Sequence, residues 1–228
     1  MKYIATSDYF TRARGLFLLC LLGLTGCALP RPASTPVVYD FGPGAQQSAP
    51  ANHALALPPL EISTLQASVA LNSTAVLYRL AYADAQQLKP YTLARWSMAP
   101  GQLISQRLRE QLSQRRAIVS PGDIIRAGRV RTAAASPATQ PESLLNLRLE
   151  LDEFSQLFAS PDQSSGLLRL RATLMQRNTT GDTLLAQRSF VVQQPAPSPD
   201  ASGGVRALAA ATDQVIGEIE TWLEQVGR

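Results

Sequence analysis

The clearest pattern in this chain is a run in which every second residue is apolar. Leu145, Leu147, Leu149 and Leu151 alternate with Asn146, Arg148, Glu150 and Asp152, the period of a strand with one face in a core and the other in water. Leu168, Leu170 and Leu174 alternate in the same way with Arg169, Arg171 and Thr173. Antiparallel pairing of the two leucine faces requires paired residue numbers with an odd sum. One such register sets Glu150 opposite Arg171 and Asp152 opposite Arg169, cross-strand ion pairs of roughly 0.2–1 kcal/mol each. The hairpin would then be closed by Ser155 to Gly166. A turn at Asn178 to Asp182 leads to a third strand over Leu184 to Gln193. Upstream, Thr74 to Ala83 also alternates, with Val76, Tyr78, Leu80 and Tyr82 on one face. Leu60 to Ala70 is more weakly strand-like, and Ile118-Val119 is a short apolar piece ahead of the Pro121-Gly122 turn.

Two segments switch to helical spacing. In Pro100 to Arg116, Leu103, Ile104, Leu108, Gln111 and Leu112 mark one face, Pro100 lies early, and Ser97 is the expected N-cap. In Val205 to Val226, Val205, Leu208, Thr212, Val215, Ile219, Trp222 and Val226 form one stripe, with Gly203-Gly204 as punctuation at its start and Gly227 as the stop. The order strands, helix, strand, three-strand meander, helix predicts an α+β fold: a mostly antiparallel sheet with two main helices packed on one face. Arg126 to Ser143, rich in Ala, Thr, Ser and Pro, reads as a surface insertion.

The first residues follow a different logic. Lys2, Arg12 and Arg14 precede an apolar run from Leu16 to Leu24, too short for the ~20 residues of a membrane-spanning helix but suited to a signal peptide. The run ends in Leu24-Thr25-Gly26-Cys27, which resembles the lipobox of bacterial lipoproteins. That resemblance implies residues 1–26 as a signal peptide, and lipidation and cleavage at Cys27. Ala28 in place of Asp implies sorting to the outer membrane, with the domain on its periplasmic face. Residues 27–59, rich in Pro, Ala, Gly, Ser and Gln, read as a flexible tether with Val37 to Phe41 as a candidate edge strand. Residues 60–228 then form a single α+β domain.

Composition narrows the chemistry. With Lys+Arg 21 against Asp+Glu 17 in 228 residues, the charge is too dilute to suggest nucleic acid. Two cysteines and one histidine exclude a disulfide-dense scaffold and an all-Cys/His structural zinc site. A hydrolase triad would have to use His53, which lies in the tether. Cross-strand pairing accounts for Glu150, Asp152 and Glu153 without a metal or an acid/base role. No GxGxxG, P-loop, CxxC, HExxH or GxSxG occurs. The expectation is a protein with no cofactor, no metal and no catalytic residue, and not an enzyme.

One stretch is distinctive: Val76 to Asp84, Leu88-Lys89-Pro90-Tyr91, Ala94-Arg95-Trp96, Pro100-Gly101-Gln102-Leu103 and Gln106-Arg107-Leu108. With the lipobox, Tyr39-x-Phe41, Leu147 to Phe154 and the Ala-rich last helix, it resembles the ABC-type transport auxiliary lipoproteins, the group that includes the PqiC-like lipoproteins. The resemblance implies a non-catalytic partner of an MCE-type intermembrane lipid transport system. Its MCE-domain protein, permease and ATPase would be other chains. It also implies contact with lipid and a homo-oligomeric ring.

For Arg95 and Trp96 two roles stand open: a core cover, with Arg95 stacked on the indole or paired with Asp84, or direct contact with the MCE partner. Phe154, Leu157 and Phe158 are expected at a hairpin tip, either presented to a partner or membrane or tucked under the sheet. Two other functions fit a tethered lipoprotein: a regulator of peptidoglycan synthesis, or a periplasmic hydrolase dependent on Glu150 or Asp152.

Overall fold

The protein is described by a computed structural model covering residues 34–44, 57–119, 144–178 and 181–226. Residues 1–33, 45–56 and 120–143, among them Cys27, His53 and the Arg126 to Ser143 insertion, lie outside the described residues. The strands are β1 (Val37–Tyr39), β2 (Leu57–Ile62), β3 (Gln66–Ala67), β4 (Ala75–Leu80), β5 (Ala85–Trp96), β6 (Arg116–Val119), β7 (Leu144–Ser160), β8 (Gln163–Asn178) and β9 (Gly181–Pro195). The helices are α1 (Ala81–Asp84), a single turn between β4 and β5, α2 (Pro100–Leu112) and α3 (Ala201–Val226).

β7 is the hub. Along one edge it pairs antiparallel with β8, which in turn pairs antiparallel with β9. Along the other edge it takes three parallel partners in series: β2, with Leu60 beside Leu145; β3, with Gln66 beside Glu150; and β4, with Tyr78 beside Gln156. A single pass of chain from Leu60 to Leu80 thus tracks β7 from end to end. The sheet forks from there. β6 adds parallel to β2 at one end, while β5 adds antiparallel to β4 at the other and carries the edge strand β1, parallel.

The expected mostly antiparallel sheet under two main helices is therefore corrected: the sheet is mixed, and one helix dominates. Alternation reports which face of a strand is buried but not which strand lies beside it or in which direction. The antiparallel meander was legible because its strands are long and consecutive. The parallel pairs join segments from about sixty to about eighty-five residues apart.

The leucine rows meet in the expected register as far as Leu151. Leu147 pairs with Leu174, Glu150 with Arg171 and Leu151 with Leu170. A bulge then intervenes, and Glu153, not Asp152, pairs with Arg169. This shifts the inward parity from odd to even, so Phe154, Gln156 and Phe158 join the buried face. The strand continues to Ser160, which pairs with Gln163 across Pro161-Asp162. The loop expected over Ser155 to Gly166 is in fact mostly strand.

α3 covers the inner face of β7, β8 and β9, burying Val205, Leu208, Ala211, Thr212, Val215, Ile216, Ile219, Trp222 and Leu223. It begins four residues before the expected start, because Asp200 supplies the cap: its Oδ1 accepts from the Gly203 amide at 2.7 Å. Its first turns sit very close to the sheet. A Cβ on Gly166 would lie 2.6 Å from the Leu208 nitrogen, and one on Gly204 would collide with the Gln156 side chain. α2 lies beside α3, its Gln111 amide donating to Asp213 at 3.3 Å. The N-cap of α2 is Ala99, without a side-chain cap. Ser97 instead gives its amide to the Tyr39 carbonyl at 2.7 Å, fastening β1.

Candidate functional site

A cluster of side chains from distant parts of the sequence lies beside the end of β1 and the start of α2. Trp96 ends β5, Phe154 follows the β7 bulge, and Phe41 follows β1. Their rings pack mutually, with centroids 5.6 Å apart for Phe41–Trp96 and Trp96–Phe154 and 6.1 Å for Phe41–Phe154. Trp96 and Phe154 are buried, while Phe41 is half-buried. Arg107 of α2 is buried as well, and its guanidinium bridges two elements: Nη2 donates to the Phe41 carbonyl at 2.6 Å and Nε lies 3.2 Å from Asp213 of α3. Residues 40–42 separate two open clefts of about 280 and 380 Å³. The first is walled by Met98, Leu103 and Arg107, the second by Val205, Arg206 and Ala209.

The candidate contact residues fall in different places. Arg95 neither stacks on Trp96 nor pairs with Asp84; its Nη1 donates to the carbonyls of Tyr91 and Ala94 at 2.7 and 2.9 Å. Asp84 instead accepts the Gln86 amide. Phe158 is buried against Tyr78 at 6.0 Å, near the hairpin end of β7 but tucked against the sheet. Leu157 is half-buried, beside Arg79 on β4 and Ser165 on β8. Only Trp96 and Phe154 come together.

Arg107 and Gln156 were not singled out as site residues from the sequence. Arg107 falls at the helical spacing of the Leu103, Ile104 and Leu108 stripe, and a charged residue on that face is the signal that could have found it. Gln156 is fully buried, accepting from the Tyr91 hydroxyl at 2.8 Å and donating to the Ser164 hydroxyl at 2.7 Å. Burial, reinforced by Tyr78 and Asp200, pushes the Tyr91 phenol far above its usual range. The one clue to Gln156 was its place in a run of alternating residues, and that was masked by the bulge.

The carboxylates of β7 are all engaged. Arg171 lies 3.0 Å from Glu150 and 3.6 Å from Asp152. Arg79 grips both oxygens of Glu153, at 3.2 and 3.0 Å, and the Ser155 hydroxyl donates to the same group at 2.6 Å. At the far end of the sheet Arg177 reaches the buried Glu61 at 2.6 Å, and both Arg148 and Arg177 reach Asp182. Among the described residues no cluster of His, Cys, Asp or Glu could hold a metal ion, and no helix is long and apolar enough to cross a membrane. What is built here is a packed, cross-braced core with open clefts beside β1.

Comparison with known proteins supplies the identity. The model for the ABC-type transport auxiliary lipoprotein component matches residues 39–220, nearly the whole described fold. This chain belongs to that family. Members are auxiliary lipoproteins of ABC-type transport, so the chain takes its place among proteins associated with a transporter and with a membrane anchor. Among solved structures, protein XCC0632 from Xanthomonas campestris is similar over 87% of this chain and 91% of its own, at 18% identity and a TM-score of 0.58. An uncharacterised protein is similar over 83% of this chain and 99% of its own, at 14% identity and a TM-score of 0.51. At these identities both show a shared fold alone. No curated protein matches the sequence.

Proposed function

We propose that this auxiliary lipoprotein serves an MCE-type intermembrane lipid transport system as a non-catalytic component. It is held by acyl chains on Cys27 at the periplasmic face of the outer membrane, and its folded domain meets the MCE-domain protein of the transporter. Residues 1–26 are the signal peptide, and the segment after Cys27 leads to β1. ATP hydrolysis belongs to the ATPase subunit and passage through the inner membrane to the permease. The observation that carries this reading is the family match over residues 39–220. The Leu24-Thr25-Gly26-Cys27 sequence supports the anchor, since two acyl chains already hold a protein stably on a bilayer. The engagement of every β7 carboxylate in an ion pair supports a structural rather than a catalytic use of those groups.

Purification of the full-length lipoprotein from detergent-solubilised envelopes tests it. The MCE-domain subunit is expected to co-purify, and Cys27→Ala to abolish incorporation of labelled palmitate. A purified native complex lacking any MCE subunit, or one containing a penicillin-binding protein instead, overturns the reading.

A further inference from the structure

A sheet edge is a row of backbone N–H and C=O groups, every second residue turning both outward for another strand. Natural edges are blunted by being short, by lysine or proline within the strand, or by bulges. Among the described residues β1 and β6 are edges of three and four residues. β9 is different. It runs fifteen residues and pairs only with β8. It has no lysine, its one proline is its last residue, and its register with β8 is unbroken from Ala186 to Pro195. Leu184, Leu185 and Val191 are 58, 40 and 59% exposed. Its inner face is fixed under α3 by buried Phe190 and Val192, so the edge is held extended.

Between Ala186 and Pro195 of β9, and among the β8 residues paired with them, every charge is an arginine. Arg188 is exposed, its guanidinium 4.9 Å above the Phe190 ring, and Arg169 of β8 is exposed beside Val191. Neither belongs to any ion pair among the described residues, whereas Arg148, Arg171 and Arg177 each hold a carboxylate. A second copy of β9 would add the same arginine, and its only acid, Asp182, is already taken by Arg148 and Arg177.

We propose that β9 is a docking edge for an extended segment of a partner protein, which adds as a further strand with a carboxylate beside Arg188 and an apolar residue beside Val191. Strand addition draws affinity from main-chain hydrogen bonds and specificity from side chains, here one on each face, since Arg188 shares the face of Phe190 and Val191 lies on the other. The inference rests on the functional reading above only for the partner's identity, the periplasmic subunit of the transporter.

Full-length lipoprotein is mixed with that subunit in detergent, and amide hydrogen exchange is followed by peptide. Exchange over Leu184 to Gln193 is expected to slow by about tenfold or more on complex formation, as open edge amides become bonded. Arg188→Glu is expected to weaken binding by about tenfold, through lost charge complementarity, with Val69→Lys, at a distant exposed site, unchanged. A complex that forms with β9 exchange unaltered, and that Arg188→Glu leaves intact, overturns the docking edge and spares the functional reading. No complex at all overturns both. Slowed exchange that follows the lipoprotein's own concentration, without the subunit, assigns the edge to a second copy and overturns the proposed partner.

Discussion

Arg107 shows how much one side chain can hold. Its guanidinium binds the β1 segment through the Phe41 carbonyl and α3 through Asp213, a reach that a lysine ammonium cannot match at two points. Arg107→Met keeps the stem but leaves the carbonyl without its donor. A loss of about 1–3 kcal/mol in urea unfolding is expected, with faster proteolysis near Phe41. Phe154→Ala removes one fully buried ring of the aromatic trio and is expected to cost about 3–5 kcal/mol, readable in the same titration. Asp200 adds a pH term. The Gly203 amide and then the Ser198 hydroxyl hold its carboxyl below the usual 3.8. Its contribution is therefore fully present above pH 3.8 and fades as pH falls through the lower native value. Asp200→Ala should lose about 1 kcal/mol near neutrality, and Asp200→Asn should keep an acceptor while removing the dependence below pH 4, both followed by thermal melts against pH.

At the scale of elements, the governing contact is α3 on the meander. Gly166 lets β8 and the α3 backbone approach within a distance no side chain permits. Gly166→Ala must push the helix away and is expected to destabilise by roughly 1–3 kcal/mol, with a lowered melting temperature and altered near-ultraviolet signal from Trp222. The two helices and the meander were legible because each repeats its apolar spacing over many residues. The stripe expected on α3 is the stripe that is buried. The β7 bulge was less legible: the step from Leu151 to Phe154 changes the parity of the apolar row, and the register Glu150–Arg171 holds only up to that step. The start of α3 shifted, since Asp200 caps it. α2 starts at Pro100 as expected, but is preceded by Ala99 rather than a Ser97 cap and ends at Leu112, short of Arg116, which opens β6. Capping depends on local turn geometry that apolar spacing does not encode.

For the molecule as a whole, the anchor is the first thing to test. Cys27→Ala should block both acylation and cleavage, so that the chain keeps residues 1–26 and its mass shows no acyl chains; an acylated or normally cleaved product would remove the lipoprotein reading of Cys27. By itself the sequence determined the antiparallel meander, the buried stripe of the last helix, the Glu150–Arg171 pair and the family, because each rests on local periodicity or on linear motifs. The tertiary structure decided the rest. It placed β2, β3 and β4 in line along one edge of β7 and made the sheet mixed. It drew Phe41, Trp96 and Phe154 into one cluster under Arg107, withdrew Phe158 from the surface, and left β9 as the long edge. The reason is physical: periodicity fixes which side of a strand meets the core, while neighbour, direction and exposure are set by segments far away in the chain.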